Sequence, residues 1–243
     1  MMNKLILILA LLLPGAVMAS EGVHLDKAPI NSSNQASLQR GAKVFVNYCL
    51  NCHAAASMRF NRLKDIGLTE EQIKQNLIFG GQKVGDLMTS SMNAQEAKAW
   101  FGATPPDLSV VARSRGVDWL YSYLRGFYRD ESRPTGWNNT VFDKVGMPHV
   151  LWQLQGEQRL VVTETVGADG IKSEKHALVL AKKGSLSPAE YDMLIADLVN
   201  YLDFMAEPAK AQRKQLGFFV LIFLFAFFFV ALALKKEFWK DIH

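Results

Sequence analysis

Cysteine is almost missing from this chain: among 243 residues only Cys49 and Cys52 occur, three positions apart. A bridge between them would close a very small loop and staple little, and no second ligand cluster is present to complete a zinc site. Basic runs are missing as well. The net charge of +4 is scattered among interspersed acids and bases with no nucleic-acid motif, so the charges read as a solvated surface and nucleic acid is not expected as a partner. Internal repeats and low-complexity tracts are absent, and the length suits one sizeable core with an appendage rather than two full cores. Although 49% of the residues are hydrophobic, much of that content is concentrated at the two ends, which leaves the middle more polar than the mean.

The run from Met1 to Ala19 has Lys4, an apolar stretch from Leu5 to Leu13, the helix breaker Pro14-Gly15, and small residues leading into Val17-Met18-Ala19. It reads as a secretory signal peptide (residues 1–19) cut after Ala19, because the apolar run is short for a membrane span and a cleavage site follows directly. The run from Leu216 to Leu234 is uncharged and apolar on nearly every face. Its roughly 19 residues reach about 28 Å as a helix, enough to cross a bilayer. Lys210, Arg213 and Lys214 on one side balance Lys235, Lys236 and Lys240 on the other, so flanking charge does not orient the span. The signal peptide does: it exports the bulk of the chain and leaves residues 235–243 as a cytoplasmic tail in a bacterial host, with Phe238 and Trp239 at headgroup level.

Between the ends the pattern is mainly helical. Ser37 is a candidate N-cap, followed by Leu38, Ala42, Phe45 and Cys49 on one helical face. Thr69 and Gln72 stand at capping-box spacing before a helix reaching Leu77, and another helix is expected from Asp107 to Leu124 with an interruption near Gly116. Gly126 to His149 is rich in Gly, Pro, Asn and Asp and reads as a long irregular segment, the kind that tends to carry function. Arg159 to Val166 and Ile171 to Leu180 flank Gly167-Ala168-Asp169-Gly170 and read as a β-hairpin added to the helical domain. Ser187-Pro188-Ala189-Glu190 then opens a strong amphipathic helix with Tyr191, Leu194, Ile195, Leu198, Val199, Leu202 and Met205 as its apolar positions. Met193 and Met205, inside that helix, are expected in the core. Pro208 and a short basic stretch lead straight into the span, so the globular part (residues 20–209) sits close to the bilayer.

The chemistry lies in Cys49-Leu50-Asn51-Cys52-His53. Two thiols at this spacing on a helical turn can each add to a porphyrin vinyl group while the next residue turns its imidazole to the iron. As a haem c site the motif is complete, and it uses every cysteine of an exported chain. Candidates for the second axial ligand are Met58, Met88, Met92, Met147 and His149; a thioether raises the reduction potential and an imidazole lowers it. Met147, between Gly146 and Pro148 in the irregular segment, can reach an iron without breaking a helix, whereas methionines elsewhere usually pack. Haem propionates need a cation or water, and Arg113 and Arg115, followed by Trp119 and Tyr123, come shortly after Pro105-Pro106-Asp107-Leu108.

Taken together, Cys49-Leu50-Asn51-Cys52-His53, Pro105-Pro106-Asp107-Leu108-Ser109, Gly146-Met147-Pro148, the segment from Tyr191 to Pro208 ending Leu202-Asp203-Phe204-Met205-Ala206-Glu207-Pro208, and the single C-terminal anchor resemble the cytochrome c1 family over nearly the whole mature chain. The resemblance implies a mainly α, cytochrome c-like haem domain with a β-hairpin insertion and one C-terminal transmembrane helix. It implies one covalent haem c on Cys49 and Cys52, with His53 and Met147 as axial ligands, Arg115 at a propionate, and Trp119 at a position near the haem that is often tyrosine. It implies electron transport in a respiratory chain: the haem takes one electron from the Rieske iron-sulfur protein of a ubiquinol-cytochrome c reductase (cytochrome bc1) complex and passes it to a cytochrome c, with quinol chemistry left to the cytochrome b and Rieske subunits of a dimeric complex. Tyr128 to Asn139 resembles bacterial members, which implies a proteobacterial host and a periplasmic haem domain held on the inner membrane. The rival readings are a haem c subunit of another respiratory complex and a membrane-tethered protein with a plain disulfide.

Overall fold

The computed structural model describes residues 23–166 and 172–240. The expected signal peptide lies outside them, as do Gly167 to Ile171 at the turn of the expected hairpin. In chain order the elements are α1 (Gln35–Val44), a π-helical turn (Phe45–Cys49), β1 (Ala55–Arg59), a 3-10 segment (Phe60–Ile66), α2 (Glu70–Leu77), β2 (Leu87–Met88), α3 (Ala94–Phe101), α4 (Val111–Arg115), α5 (Val117–Arg125), β3 (Phe127–Arg129), β4 (Trp137–Asn139), α6 (Trp152–Gln155), β5 (Gly156–Val166), β6 (Lys172–Lys183), α7 (Pro188–Ala206) and α8 (Lys210–Phe238). The architecture is mainly helical with three small antiparallel two-stranded sheets, β1-β2, β3-β4 and β5-β6.

The core is the crossing of α1 and α7, with α4 and α5 packed on α7. Helix α1 is capped by Asn34, whose Oδ1 accepts from the Ser37 amide at 3.1 Å. This corrects the expectation that Ser37 is the cap. Ser37 is instead buried inside the helix and its Oγ accepts from Asn200 Nδ2 of α7 at 2.9 Å. Asn and Ser cap equally well, so local sequence left the choice open and the helix contact decided it. At the crossing, Gly41 lets α7 approach so closely that an added Cβ would lie 2.0 Å from the Asp197 carbonyl oxygen. Next to it Phe45 packs on Tyr201, ring centroids 5.6 Å apart.

Helix α7 begins with the expected capping box between Ser187 and Glu190 and with Pro188 in its first turn. Tyr191, Ile195, Leu198, Val199, Leu202 and Met205 are buried as the apolar period requires. Met193 is not: at 61% exposed it corrects the expectation of a core methionine. It lies two residues from Tyr191, about 200° around the helix, on the solvent side of the stripe. Helix α2 also forms with its capping box. The expected helix from Asp107 to Leu124 is two helices, broken at Gly116 with φ +89°, and it starts only at Val111. The Asp107 and Ser109 side chains are spent on other backbone amides, as described below.

Gly126 to His149 is not wholly irregular: β3 and β4 pair antiparallel with Phe127 opposite Asn139. Three-residue strands are too short to show a period of two, so composition alone masked them. Two buried asparagines set the rest of the loop. Asn139 Oδ1 accepts from the Val141 amide at 2.8 Å and its Nδ2 donates to the Tyr123 carbonyl at 2.7 Å, while Asn138 Oδ1 accepts from the Lys144 amide at 2.9 Å. The hairpin forms with β5 and β6 paired from Gly156 opposite Lys183 to Val166 opposite Lys172, with one register shift between Glu157 and Gln158. It is longer at both base ends than the expected limits, Arg159 and Leu180.

Helix α8 is the one described helix long and apolar enough to cross a membrane, and its side chains are exposed along most of its length. Lys210 and Arg213 at its start pair with Asp203 at 2.7 Å and Glu207 at 2.6 Å, tying the helix to the end of α7. It continues through Phe238, so Lys235 to Phe238 are helical.

Candidate functional site

The π-helical turn delivers Cys49 from the end of α1. After it, the Cys52 and His53 amides both donate to the Cys49 carbonyl, at 3.1 and 2.8 Å, so the five-residue motif closes one tight turn. Both thiols are free and half-buried. Burial, reinforced by the neighbouring Cys52, pushes the Cys49 thiol up to about 12.

His53 Nδ1 lies 2.8 Å from the Pro106 carbonyl oxygen. As a neutral imidazole it donates there, which fixes the ring and leaves the Nε2 lone pair available to a metal. Burial lowers the pKa of His53, opposed by the Pro106 hydrogen bond and by Asp107, so the neutral form is the resident one. The Pro106 carbonyl is itself held by a clamp. The Leu108 amide donates to the Ala54 carbonyl at 2.8 Å, Asp107 accepts from the Ala56 amide at 2.7 Å and the Ser109 amide at 2.8 Å, and Ser109 Oγ accepts from the Ser57 amide at 3.0 Å. Pro105 to Ser109 is thus the brace of the His53 turn, which gives that motif a physical task.

Met147 is half-buried and packs on the core. Its Sδ accepts from the Tyr123 hydroxyl at 3.4 Å. Gly146 runs so close to α3 that an added Cβ would stand 2.5 Å from the Phe101 carbonyl oxygen. The other ligand candidates are engaged elsewhere. Met58 and Met88, 2% and 0% exposed, fill the core from β1 and β2, and Met88 Sδ accepts from the Tyr201 hydroxyl at 3.7 Å. Met92 is half-buried in the turn after β2, its amide bonded to Ser90 Oγ. His149 is buried face to face with Phe127 at 4.9 Å and edge-on to Trp137 at 5.0 Å. Burial pushes it down to about 4, so it is a neutral ring in an aromatic cluster.

Arg115 and Trp119 belong to one ladder. The Arg115 guanidinium lies 5.2 Å from the Trp119 ring centroid, and Trp119 stacks on Tyr123 at 4.7 Å with planes 11° apart. Within α5 four-residue spacing puts Trp119 and Tyr123 on one side, and Arg115 reaches the stack from across the break at Gly116. Arg113 faces elsewhere, adding, behind Arg213, to the field that holds Glu207 below the usual carboxylate range. Sequence reasoning named Tyr123 but gave it no task; its place four residues after Trp119 was the available signal.

The residues present fit a haem c: two thiols on one turn, an imidazole with only Nε2 uncommitted, and a thioether in a half-buried loop. Among the described residues no group of three or more His, Cys, Asp or Glu stands together to hold a bare metal ion.

The model of the Cytochrome C1 family matches residues 25–159 and 183–242 and skips most of the hairpin. A Nitrosomonas europaea protein named ammonia monooxygenase gamma subunit is 53% identical over 98% of this chain and 97% of its own length. Cytochrome c1 of Allochromatium vinosum is 50% identical over the full length of both chains. A Bradyrhizobium diazoefficiens protein named cytochrome b/c1 is 28% identical over 88% of this chain and 34% of its own length.

Proposed function

This chain belongs to the cytochrome c1 family, and from that premise we propose that it relays single electrons from the Rieske iron-sulfur protein to a cytochrome c within a ubiquinol-cytochrome c reductase. It is a haem protein and an electron-transfer subunit of the cytochrome bc1 complex, anchored in a membrane by α8. The observation that carries the relay is the donor set: a neutral His53 with Nδ1 committed to Pro106 and a Met147 thioether on a separate, braced loop.

Cys49 and Cys52 would hold the haem by thioethers, and His53 Nε2 and Met147 Sδ would ligate its iron. Bound there, haem c supplies a one-electron iron couple. The chain makes and breaks no substrate bond. Its residues would set the potential and hold both ligand side chains in place, His53 through Pro106 and Met147 through its braced loop. Arg115, exposed at the outer end of the Trp119 stack, offers a cation to a propionate. The name cytochrome b/c1 of the Bradyrhizobium relative supports cytochrome b as a neighbour. The haem domain faces the periplasm of a bacterial inner membrane, exported by residues 1–19, in a dimeric complex.

The test is a haem stain of the tagged chain after denaturing electrophoresis, with identification of what it brings from native membranes. Covalent stain together with cytochrome b and Rieske subunits is expected. A colourless band from cells competent for haem attachment rejects the haem, and a stained band with other respiratory subunits assigns it to another complex.

The loop brace gives a further expectation. Gly146→Ala forces a Cβ against the Phe101 carbonyl, a strain of about 1–3 kcal/mol by analogy with overpacking, and shifts Met147. The far-red sulfur-to-iron absorption band should weaken while haem attachment persists; a band of undiminished intensity would show that the loop absorbs the methyl group.

A further inference from the structure

A buried tyrosine hydroxyl ordinarily finds a strong acceptor. Tyr191 does so, donating to the Leu124 carbonyl at 2.9 Å. Tyr123, in the interior of the same region, donates instead to the Met147 sulfur at 3.4 Å, a weak acceptor. We propose that Tyr123 is a positioning residue that raises the haem reduction potential by donating its hydroxyl hydrogen to Met147 Sδ; this rests on the reading of Met147 as an axial ligand.

Three observations carry it. The ring is fixed: Trp119 stacks on one side at 4.7 Å, and Phe127 meets it edge-on at 5.1 Å. The hydroxyl is the donor, since a thioether sulfur has no hydrogen to give. The acceptor is the one methionine of the loop between Gly146 and Pro148, half-buried and anchored by the close approach to Phe101, whereas the other tyrosine-to-methionine bond, Tyr201 to Met88, lies in the core among fully buried side chains.

The sign follows from the sulfur. A thioether has two lone pairs, and when one binds iron the other is free for the hydroxyl. Donation into it draws density off the sulfur, and the positive end of the O–H dipole points to the same side. Both effects disfavour the extra positive charge of ferric iron and favour the ferrous state. Electron and proton inventories are unchanged: the iron gains or loses one electron and Tyr123 keeps its proton.

The experiment is a potentiometric titration of the full-length holoprotein in detergent, with far-red spectra, for the parent, Tyr123→Phe, Tyr201→Phe and Met147→Leu. Tyr123→Phe should keep the haem and a shifted far-red band, and lower the ferrous/ferric equilibrium constant roughly threefold, about 30 mV at 59 mV per tenfold for one electron. Tyr201→Phe, which removes a still more deeply buried hydroxyl from the other methionine, should leave the potential where it was. A Tyr123→Phe potential equal to the parent's, with the band lost in Met147→Leu, overturns the proposal and leaves the ligand standing. A band that survives Met147→Leu overturns the ligand reading itself. Should Tyr123→Phe not accumulate, Trp119→Leu, which removes the stack that seats the ring, should lower the potential in the same direction; no fall there counts against the proposal.

Discussion

Met147→Leu is expected to retain covalent haem, lose the far-red sulfur-to-iron band, and drop the reduction potential by a sizeable part of the ~0.8 V over which axial ligands tune haem iron. Leucine keeps most of the apolar volume, so the loop between Val145 and His149 should stay packed. Two things are lost with the sulfur: the soft ligand that favours ferrous iron, and the acceptor of the Tyr123 hydroxyl. An unpaired buried hydroxyl costs about 1–3 kcal/mol, a modest loss against typical domain stability. His149 does not step in, because its ring is sandwiched against Phe127 and Trp137. Absorption spectra and a redox titration of the purified variant read both effects. An unaltered band and potential would move the ligand to another residue, with Met92 the other half-buried methionine among the described residues.

The second large effect is on stability, and its sign opposes helix propensity. Alanine in place of a mid-helix glycine usually gains about 1 kcal/mol. At Gly41 the new Cβ meets the Asp197 carbonyl oxygen at 2.0 Å, its carbon at 2.7 Å and Tyr201 Cβ at 2.7 Å. These are backbone and near-backbone atoms that cannot swing aside, so α1 and α7 must separate by more than 1 Å at that point. Overpacking at the upper end of its usual range, about 3 kcal/mol, leaves a net loss of about 2 kcal/mol. The Arg40–Asp197 ion pair at 2.6 Å and the Phe45–Tyr201 contact flank the crossing and would be strained with it. Gly41→Ala should lower the apparent melting temperature of the haem-loaded chain by about 4–8 °C. A melting temperature at or above the parent's would show that the helices slide apart at no cost.

Much of the site was legible along the chain. The motif of Cys49, Cys52 and His53 is local, so five residues declare it without reference to the fold. The capping boxes of α2 and α7 and the apolar run of α8 are equally local, and each formed where the spacing required. What failed depended on contacts far apart in sequence. Ser37 fits the local pattern of a cap, but its partner, Asn200, is 163 residues away. Met193 was put in the core because a list of apolar residues in a helix does not by itself say which faces the neighbour. The strands β3 and β4 escaped notice because three residues show no period, and what defines them is pairing and the buried amides of Asn138 and Asn139.

For the haem site, then, the sequence by itself singled out the proposed attachment points, the imidazole and the candidate membrane span, since each depends on covalent order or on neighbours within a turn or two. Only the tertiary structure decided that the Pro106 carbonyl claims Nδ1 of His53, and that Asp107 and Ser109 brace that carbonyl across 51 and 52 residues. It also decided that Tyr123 reaches the Met147 sulfur over a gap of 24 residues. Hydrogen bonds of that reach exist only once α1 and α7 have closed on each other and the core has expelled water, and no local pattern encodes them.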